Sequence, residues 1–498
     1  LVGYEPREAT LEKALSYTDK KVEFELSRIQ KSAHFWRQKL GEEEFKRRVD
    51  ALKAERKKSL LFRDEEGLFT YSGLGSRIAV AGSDVIERRY NLPDFDIMPW
   101  ANKPKYKDRP YQVEAHDKLI EAVQHGPCGV ELATGAGKST IIRNVLKTIA
   151  LEAVVMAPSK SIAGQLYDDL CHHFGKRYVG MVGDGKKDFK KHIVVAIDDS
   201  LSLVEPGTEI WNALSSKPVF IADESHLCPA QSLAKVCFGL MKNAPYRMFF
   251  SATQMRNDGL DLVLDGITGN IVIHKNVREL VDEGYLAKPI FKIVKCQSNS
   301  SYDSKDAVLM TRKHLFYNRI VTEIAADLAN KFVSHMKRPT IILVEEVEQF
   351  GRLLPHLKHE ARFAHGPLTK ENKESVPEAY HKDKPKDLVQ LFNEGKLPIL
   401  VGTSCIATGT DIQVAEAEIY LMGGKSEIKV KQGLGRETRG GFKGSVVNPW
   451  TGKQKLDSIH VDFEVSNIDI LTRHADERAS IYADVYDAPS YIDMTDFM

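Results

Sequence analysis

The chain has 498 residues, 42% hydrophobic and 28% charged, with 70 Lys and Arg against 69 Asp and Glu for a formal net charge of +1. The length suits about three domains at ~150 residues each, the composition is that of a folded soluble protein, and no apolar run approaches the ~20 residues of a membrane-spanning helix. A balanced total charge decides nothing about nucleic acid, so that question passes to local patches.

The charged opening LVGYEPREATLEK has no signal-peptide pattern, and the missing initiator methionine is consistent with a start upstream of Leu1. A cytoplasmic location is expected. Residues 20 to 58 are rich in Lys and Arg and carry Phe35 and Trp36. They read as a solvated amphipathic helix pair with glutamates as i,i+4 partners, or as a phosphate-contacting surface with an aromatic for stacking. Strand-like pieces follow in LFTYSGLGSRIAV, and four prolines mark NLPDFDIMPWANKPKYKDRP as a linker. Residues 1–100 are therefore expected to form a small α+β N-terminal accessory domain, a candidate DNA-binding one.

From 105 to 288 short apolar runs (CGVEL, AVVMAP, HIVVAI, PVFIAD, RMFFSAT) alternate with helical patterns until NVRELVDEGYLAKP stops the block. A second set (RPTIILVEE, ARFAHG, LPILVGTS, AEIYLMGG) fills 289–445. Strands separated by helix-length spacers predict α/β domains with parallel sheets. The polar, proline-broken LTKENKESVPEAYHKDKPK reads as a mobile loop. Residues 446–498 read as a short C-terminal extension, a strand pair in GSVVNPWTGKQKLDSIHVDFEV and a helix in DILTRHADERASIYADV. The six cysteines form no Cys-x-x-Cys pair or zinc-spaced cluster, so reduced buried thiols and no structural metal are expected. His172-His173 reads as a solvated helix face.

Three stretches carry chemistry. In ELATGAGKST the chain leaves a strand at Leu132 and turns through Thr134, Gly135, Ala136 and Gly137 into a helix begun by Lys138, Ser139 and Thr140. Glycines let backbone amides crowd round phosphate oxygens at a helix N-terminus. Lys138 would reach the β/γ-phosphates of ATP and Ser139 would ligate Mg2+. Leu132 stands where the phosphate-loop pattern has its first glycine, and the plainer reading is a structural glycine turn. In PVFIADESHLCP, Asp223 and Glu224 sit at a strand's C-terminal edge, where Asp223 would hold magnesium and Glu224 would orient or deprotonate the attacking water. The plainer reading is a helix N-cap with a first-turn acid. His226 reads equally as a relay and as a polar strand exit. In QGLGRETRG, the three-residue spacing of Arg436 and Arg439 predicts one helix face turned to negative charge; surface arginines after a loop are the plainer alternative.

The ordered set RPYQ, ATGAGKS, MAPSKSIAGQ, DESH, SAT, VGTSCIATGTD and QGLGRETR, over about residues 109 to 445, resembles the superfamily 2 helicases and translocases. The resemblance implies two tandem RecA-like domains with ATP in the cleft between them. Arg436 and Arg439 would then be arginine fingers for the γ-phosphoryl group, and Gln432 a contact to the γ-phosphate or the water. Gln112 would read the adenine edge, with Arg109 and Tyr111 shaping its pocket. Gly409 and Asp411 would lie near the ribose and γ-phosphate. Ser159, Lys160, Gln165 and Thr403 would contact nucleic-acid phosphates, and SAT (251–253) would couple hydrolysis to domain movement.

DESH and Gln432 separate the chain from the DEAD-box RNA helicases, and its texture is closer to UvsW-type phage helicases, RecG and XPB-like translocases. GLFTYSGLGSRI and ILTRHADERASIY resemble the flanks of UvsW-type proteins. This implies an ATP- and Mg2+-dependent DNA helicase for forked or four-way DNA (branch migration, fork remodelling), monomeric and without a membrane partner. The alternatives are an RNA helicase, a duplex translocase without strand separation, or a binding scaffold with a decayed ATPase. The presence of Lys138, Glu224, Arg436 and Arg439 argues against the last.

Overall fold

The computed structural model describes residues 5–64, 67–70, 74, 91–92, 98–104, 107–227, 230–252, 261–407, 412–425 and 427–493. The chain divides into two units, one of Leu1–Leu132 with Lys138–His274, the other of Ala133–Gly137 with Lys275–Met498.

In the first unit, β1 (Ser16–Thr18) pairs antiparallel with β2 (Lys57–Ser59), and β3 (Phe62–Asp64) with β4 (Gly67–Phe69). Between β1 and β2 run three helices, Lys20–Lys31, Ala33–Leu40 and Glu42–Arg56, where the sequence suggested two. Leu26, Ile29, Phe45 and Val49 form their small core. Some of their charges meet one another, as in Arg48–Glu25 at 3.1 Å and Arg37–Glu42 at 3.2 Å, as a solvated helix face would have them. Half-buried Trp36 has Lys39 and Arg48 over its ring, 5.4 and 5.6 Å from the centroid. Of the expected strand region 68–80, residues 71–73 and 75–80 lie outside the described residues.

The Val- and Ile-rich runs become an eight-stranded sheet: β5 (Cys128–Leu132), β6 (Ala153–Ala157), β7 (Val179–Gly183), β8 (Lys186–Lys187), β9 (Ile193–Ile197), β10 (Val219–Ala222), β11 (Tyr246–Ser251) and β12 (Asn270–Lys275), in the order β12-β5-β11-β10-β6-β9-β7-β8. Strands β5, β11, β10, β6, β9 and β7 run parallel, while β8 turns back antiparallel at the edge. Register sets Ala222 against Met156 and Phe249, and Ser251 against Glu131, so β5, β10 and β11 discharge their next residues at one edge. Helices between parallel strands must cross the sheet faces, which is why the central strands β6, β9 and β10 are apolar throughout rather than alternating.

The second unit holds β13 (Lys288–Cys296), β14 (Thr340–Val344), β15 (Ala361–Ala364), β16 (Ile399–Gly402), β17 (Ala417–Leu421), β18 (Asp457–Val465) and β19 (Ser490–Asp493), all parallel, in the order β15-β16-β14-β17-β18-β13-β19. The two sheets have the tandem RecA-like architecture. The C-terminal segment inserts β18 between β17 and β13 and adds β19 at the edge, so it completes this sheet.

The stretch expected to be a mobile loop instead forms a helix, Lys370–Glu374, and a 3-10 turn, Glu378–Tyr380. Tyr380 packs edge-on against Phe350 at 5.0 Å, and Asp383 pairs with Arg362; these two contacts anchor it. His172 is exposed as expected, but His173 is buried and its Nδ1 lies 2.8 Å from the Asn102 carbonyl oxygen. The five described cysteines are free, and burial pushes the thiols of Cys128, Cys237 and Cys296 up to about 12. Among the described residues no helix is long and apolar enough to cross a membrane.

Candidate nucleotide and nucleic-acid site

Strand β5 ends at Leu132, whose side chain is fully buried. That explains the departure at the first glycine position: the residue still belongs to the strand and faces the core. The turn proper lies further on. Gly135 and Gly137 have φ of 85° and 84°, a region that side chains disfavour. The Ala136 N–H closes the turn on the Ala133 carbonyl at 3.0 Å, and the helix Lys138–Ile149 begins at once. The first-turn amides of such a helix lack intrahelical acceptors, which suits an anion. Lys138 is buried, and its ammonium donates to the Leu132 carbonyl at 3.3 Å and meets Glu224 Oε1 at 3.0 Å. Ser139 beside it is exposed.

The acidic turn follows β10. The Asp223 N–H prolongs the strand pairing to Met156 O at 2.8 Å, and Asp223 Oδ1 accepts the Glu224 N–H at 3.0 Å. Glu224 has φ of +47°, a left-handed conformation that a non-glycine residue adopts at a cost of order 1–3 kcal/mol. Burial, and then the Glu224 charge, push the Asp223 carboxyl up to about 7, while Lys138 pulls the other way. A 3-10 turn, Ser225–Leu227, comes next rather than an α-helix, so Asp223 is not the cap of an α-helix. The Ser225 hydroxyl donates to Phe250 O at 3.3 Å. His226 Nδ1 lies 2.9 Å from the Ser251 hydroxyl and 3.6 Å from Glu224 Oε2. The histidine therefore joins the acidic turn to the end of β11, where SAT begins; Thr253 lies outside the described residues.

Other expected residues take local roles that the motif did not reveal. Gln112 is the third residue of the helix Pro110–Ala122, and its Oε1 accepts the Arg109 N–H at 2.9 Å. Arg109 Nη1 donates to the Tyr111 hydroxyl at 2.9 Å. Ser159 caps the helix Lys160–Phe174 by accepting the Ile162 N–H at 3.3 Å. Lys160 is exposed and pairs with Asp184 at 2.9 Å, and Gln165 is exposed one turn on.

In the second unit, Thr403 follows β16, its N–H bonded to Ala364 O at 3.3 Å. Gly409 and Asp411 lie outside the described residues, as do the side chains of Gln432 and Arg436. The helix Glu427–Glu437 carries Gln432 and Arg436 but stops before Arg439, which forms a bridge with Leu286. The expectation that both arginines share a helix face is therefore corrected. Gly440 and Gly441, with φ of 144° and 84°, turn the chain away from the helix there. Burial pushes the Arg439 guanidinium down to about 10. Within this unit Gly435 lies against the turn residue Thr134, and a Cβ at Gly435 would come 2.3 Å from that of Thr134. Gly135 likewise faces Arg439 Cγ, at 3.4 Å from an added Cβ.

Reading the sequence missed a buried polar group in this unit, made by Glu418, His460, Asp462, Arg478 and Tyr482. Its signal was the charge inside AEIYL and DSIHVDFEV, strands that otherwise read as apolar.

Residues 105–256 match the family described as Type III restriction enzyme, res subunit, and residues 323–441 match the Helicase conserved C-terminal domain. The chain is similar to the DNA 3'-5' translocase XPB2 of Sulfurisphaera tokodaii, 23% identical over 406 residues that cover 75% of this chain and 88% of that protein. It is similar in fold to a fragment of an HsdR subunit of a type I restriction enzyme from Vibrio vulnificus, with a TM-score of 0.55 and 17% identity over 80% of this chain and 70% of that one. Phage T4 UvsW aligns over 99% of this chain and 97% of its own, with 13% identity and a TM-score of 0.41. With the two family matches falling in sequence order on the two sheets, the chain belongs to the superfamily 2 helicases, ATP-dependent enzymes that act on nucleic acid.

Proposed function

We propose that this enzyme is a DNA helicase or translocase that works on branched DNA, in branch migration or fork remodelling, as a monomer. The observation that carries the choice of DNA is the similarity to a DNA translocase across 88% of that protein's length. The flanks that resemble UvsW-type proteins support the branched substrate.

The roles follow from the chemistry above. The turn Thr134–Thr140 and the helix start hold the ATP phosphates, and an arriving phosphate competes with Glu224 for Lys138. Glu224, released from that pair, orients and deprotonates the attacking water. Asp223, a buried carboxyl short of positive charge, and the Ser139 hydroxyl fit a magnesium ion, which would neutralise phosphate charge when bound. Gln112 and Arg109 form the adenine side. Gln432, Arg436 and Arg439 act on the γ-phosphoryl group, with Gly409 and Asp411 near it. His226 passes the state of the acidic turn to Ser251. Ser159, Lys160, Gln165 and Thr403 meet backbone phosphates, so tracking is independent of sequence.

The test is ATPase rate at fixed salt with single-stranded DNA, linear duplex, a synthetic four-way junction and structured RNA, with strand products followed in the same tubes. Strongest stimulation and orderly disassembly on the junction is the expected result. Strongest stimulation by RNA overturns the substrate, and duplex stimulation without displaced strands makes the enzyme a translocase only.

A further inference from the structure

Behind the arginine-bearing helix the second unit buries a continuous set of polar groups. Glu418 on β17 is fully buried, and among the described residues neither of its carboxylate oxygens accepts a hydrogen bond. His460 on β18 places Nδ1 3.3 Å from Glu418 Oε1 and Nε2 3.1 Å from the Tyr482 hydroxyl. The Tyr482 hydroxyl donates to Asp462 Oδ2 at 2.8 Å, and Arg478 holds the same carboxylate with bonds of 2.7 and 3.0 Å. Tyr482 and Arg478 both stand on the helix Asp469–Val485. A path of polar contacts thus runs from that C-terminal helix, across β18, to Glu418.

Both ends of the path reach the helix Glu427–Glu437. Arg478 Nη1 donates to Gly424 O at 2.6 Å, in the Gly423-Gly424 pair (φ 62° and 72°) that leads into it. Lys425 pairs with Glu477 at 3.3 Å beside this bond. In mid-helix, Gly433 leaves so little room that an added Cβ would stand 3.2 Å from Glu418 Oε1. Buried ion pairs contribute little net stability compared with apolar packing of the same volume. What they supply is direction, because each bond has one geometry. The chain entering the helix is thereby fixed by a hydrogen bond, and the middle of the helix is seated by close packing on the Glu418 carboxylate.

We propose that Glu418, His460 and Tyr482 are positioning residues which, with Asp462 and Arg478, carry the hold of the C-terminal helix to the helix bearing Arg436 and so set the rate of hydrolysis. The inference rests on the assignment of Arg436 to the γ-phosphoryl group made above. Misplacement of a catalytic group by ~1 Å costs on the order of 10²-fold in rate, so small shifts of this helix matter.

The test uses Tyr482→Phe and Glu418→Gln in the full chain. The first removes one hydroxyl and keeps the ring stacked on Phe291 at 4.9 Å; the second removes only the charge. ATPase is measured without nucleic acid and with a synthetic DNA junction, alone and in an Arg436→Ala background, alongside the thermal midpoint. The expected result is a fall in kcat of about tenfold or more with KM for ATP within about twofold, shrinking to about twofold or less once Arg436 is gone. The same factor in both backgrounds, or an unchanged kcat, overturns the proposal alone. An Arg436→Ala enzyme as fast as the parent overturns the Arg436 assignment as well. Should Glu418→Gln fail to fold, Gly433→Ala presses on Glu418 from the helix side without removing a charge, and must show the same dependence on Arg436.

Discussion

The first sheet keeps its buried polar groups at or beyond the ends of its strands, whereas the second carries them inside. In the first, β6, β9 and β10 are wholly apolar and buried, and Lys138, Asp223, Glu224, His226 and Ser251 gather at the edge where β5, β10 and β11 end. In the second, Glu418 lies in β17 against the helix Glu427–Glu437, and His460 and Asp462 lie in β18 against the helix Asp469–Val485, all three buried. Groups at the carboxyl ends of parallel strands are placed to meet ligands, and the strained Glu224 and the raised Asp223 carboxyl stand there, as the proposed chemistry requires. Interior groups meet only one another, and there charge serves to fix geometry.

Substitutions at the two places should fail in different ways. The largest effect belongs to the edge: Lys138→Ala is expected to bring ATP turnover down to background with DNA binding largely retained. Turnover near that of the parent would remove the phosphate-turn assignment. In the interior, Arg478→Leu strands the buried Asp462 carboxylate and should cost about 3–5 kcal/mol in urea unfolding. A loss under about 1 kcal/mol would show that the pair does not hold the sheet together.

Asp223 sharpens the contrast through pH. Its carboxyl is raised from the ordinary 3.8 to about 7, so the folded chain keeps a proton that the unfolded chain has lost. Its contribution to stability is fully present below pH ~4 and is lost as pH rises through ~7. Asp223→Asn should therefore raise the thermal midpoint by about 2–4 °C near pH ~8 and by less near pH ~5. An equal shift at both pH values would mean that the charge is not what burial opposes. The smallest effect is expected at Lys160, exposed and already paired with Asp184. Lys160→Ala should lower the salt slope of DNA binding by about 1, and an unchanged slope would place Lys160 off the phosphate path.

Much of this was legible in the chain itself. Runs such as AVVMA and TIILV, with helix-length spacers, specify parallel strands buried on both faces, because no other element tolerates that pattern. The glycine turn before Lys138 and the acids after β10 are also local, since phosphate binding requires certain residue types at short spacing. The sequence by itself therefore determined the two α/β sheets and the ATP-dependent helicase class, and it singled out the residues proposed above to meet phosphate. Tertiary structure decided what depends on partners far along the chain. Arg439 leaves the helix because it bridges to Leu286, some 150 residues earlier. Strand β18 stands between β17 and β13 rather than apart from them. Glu418, His460 and Tyr482 meet only once three separate elements have packed. Periodicity reports which face of an element is buried, but it does not report what lies against that face, and a buried charge is defined by its neighbours.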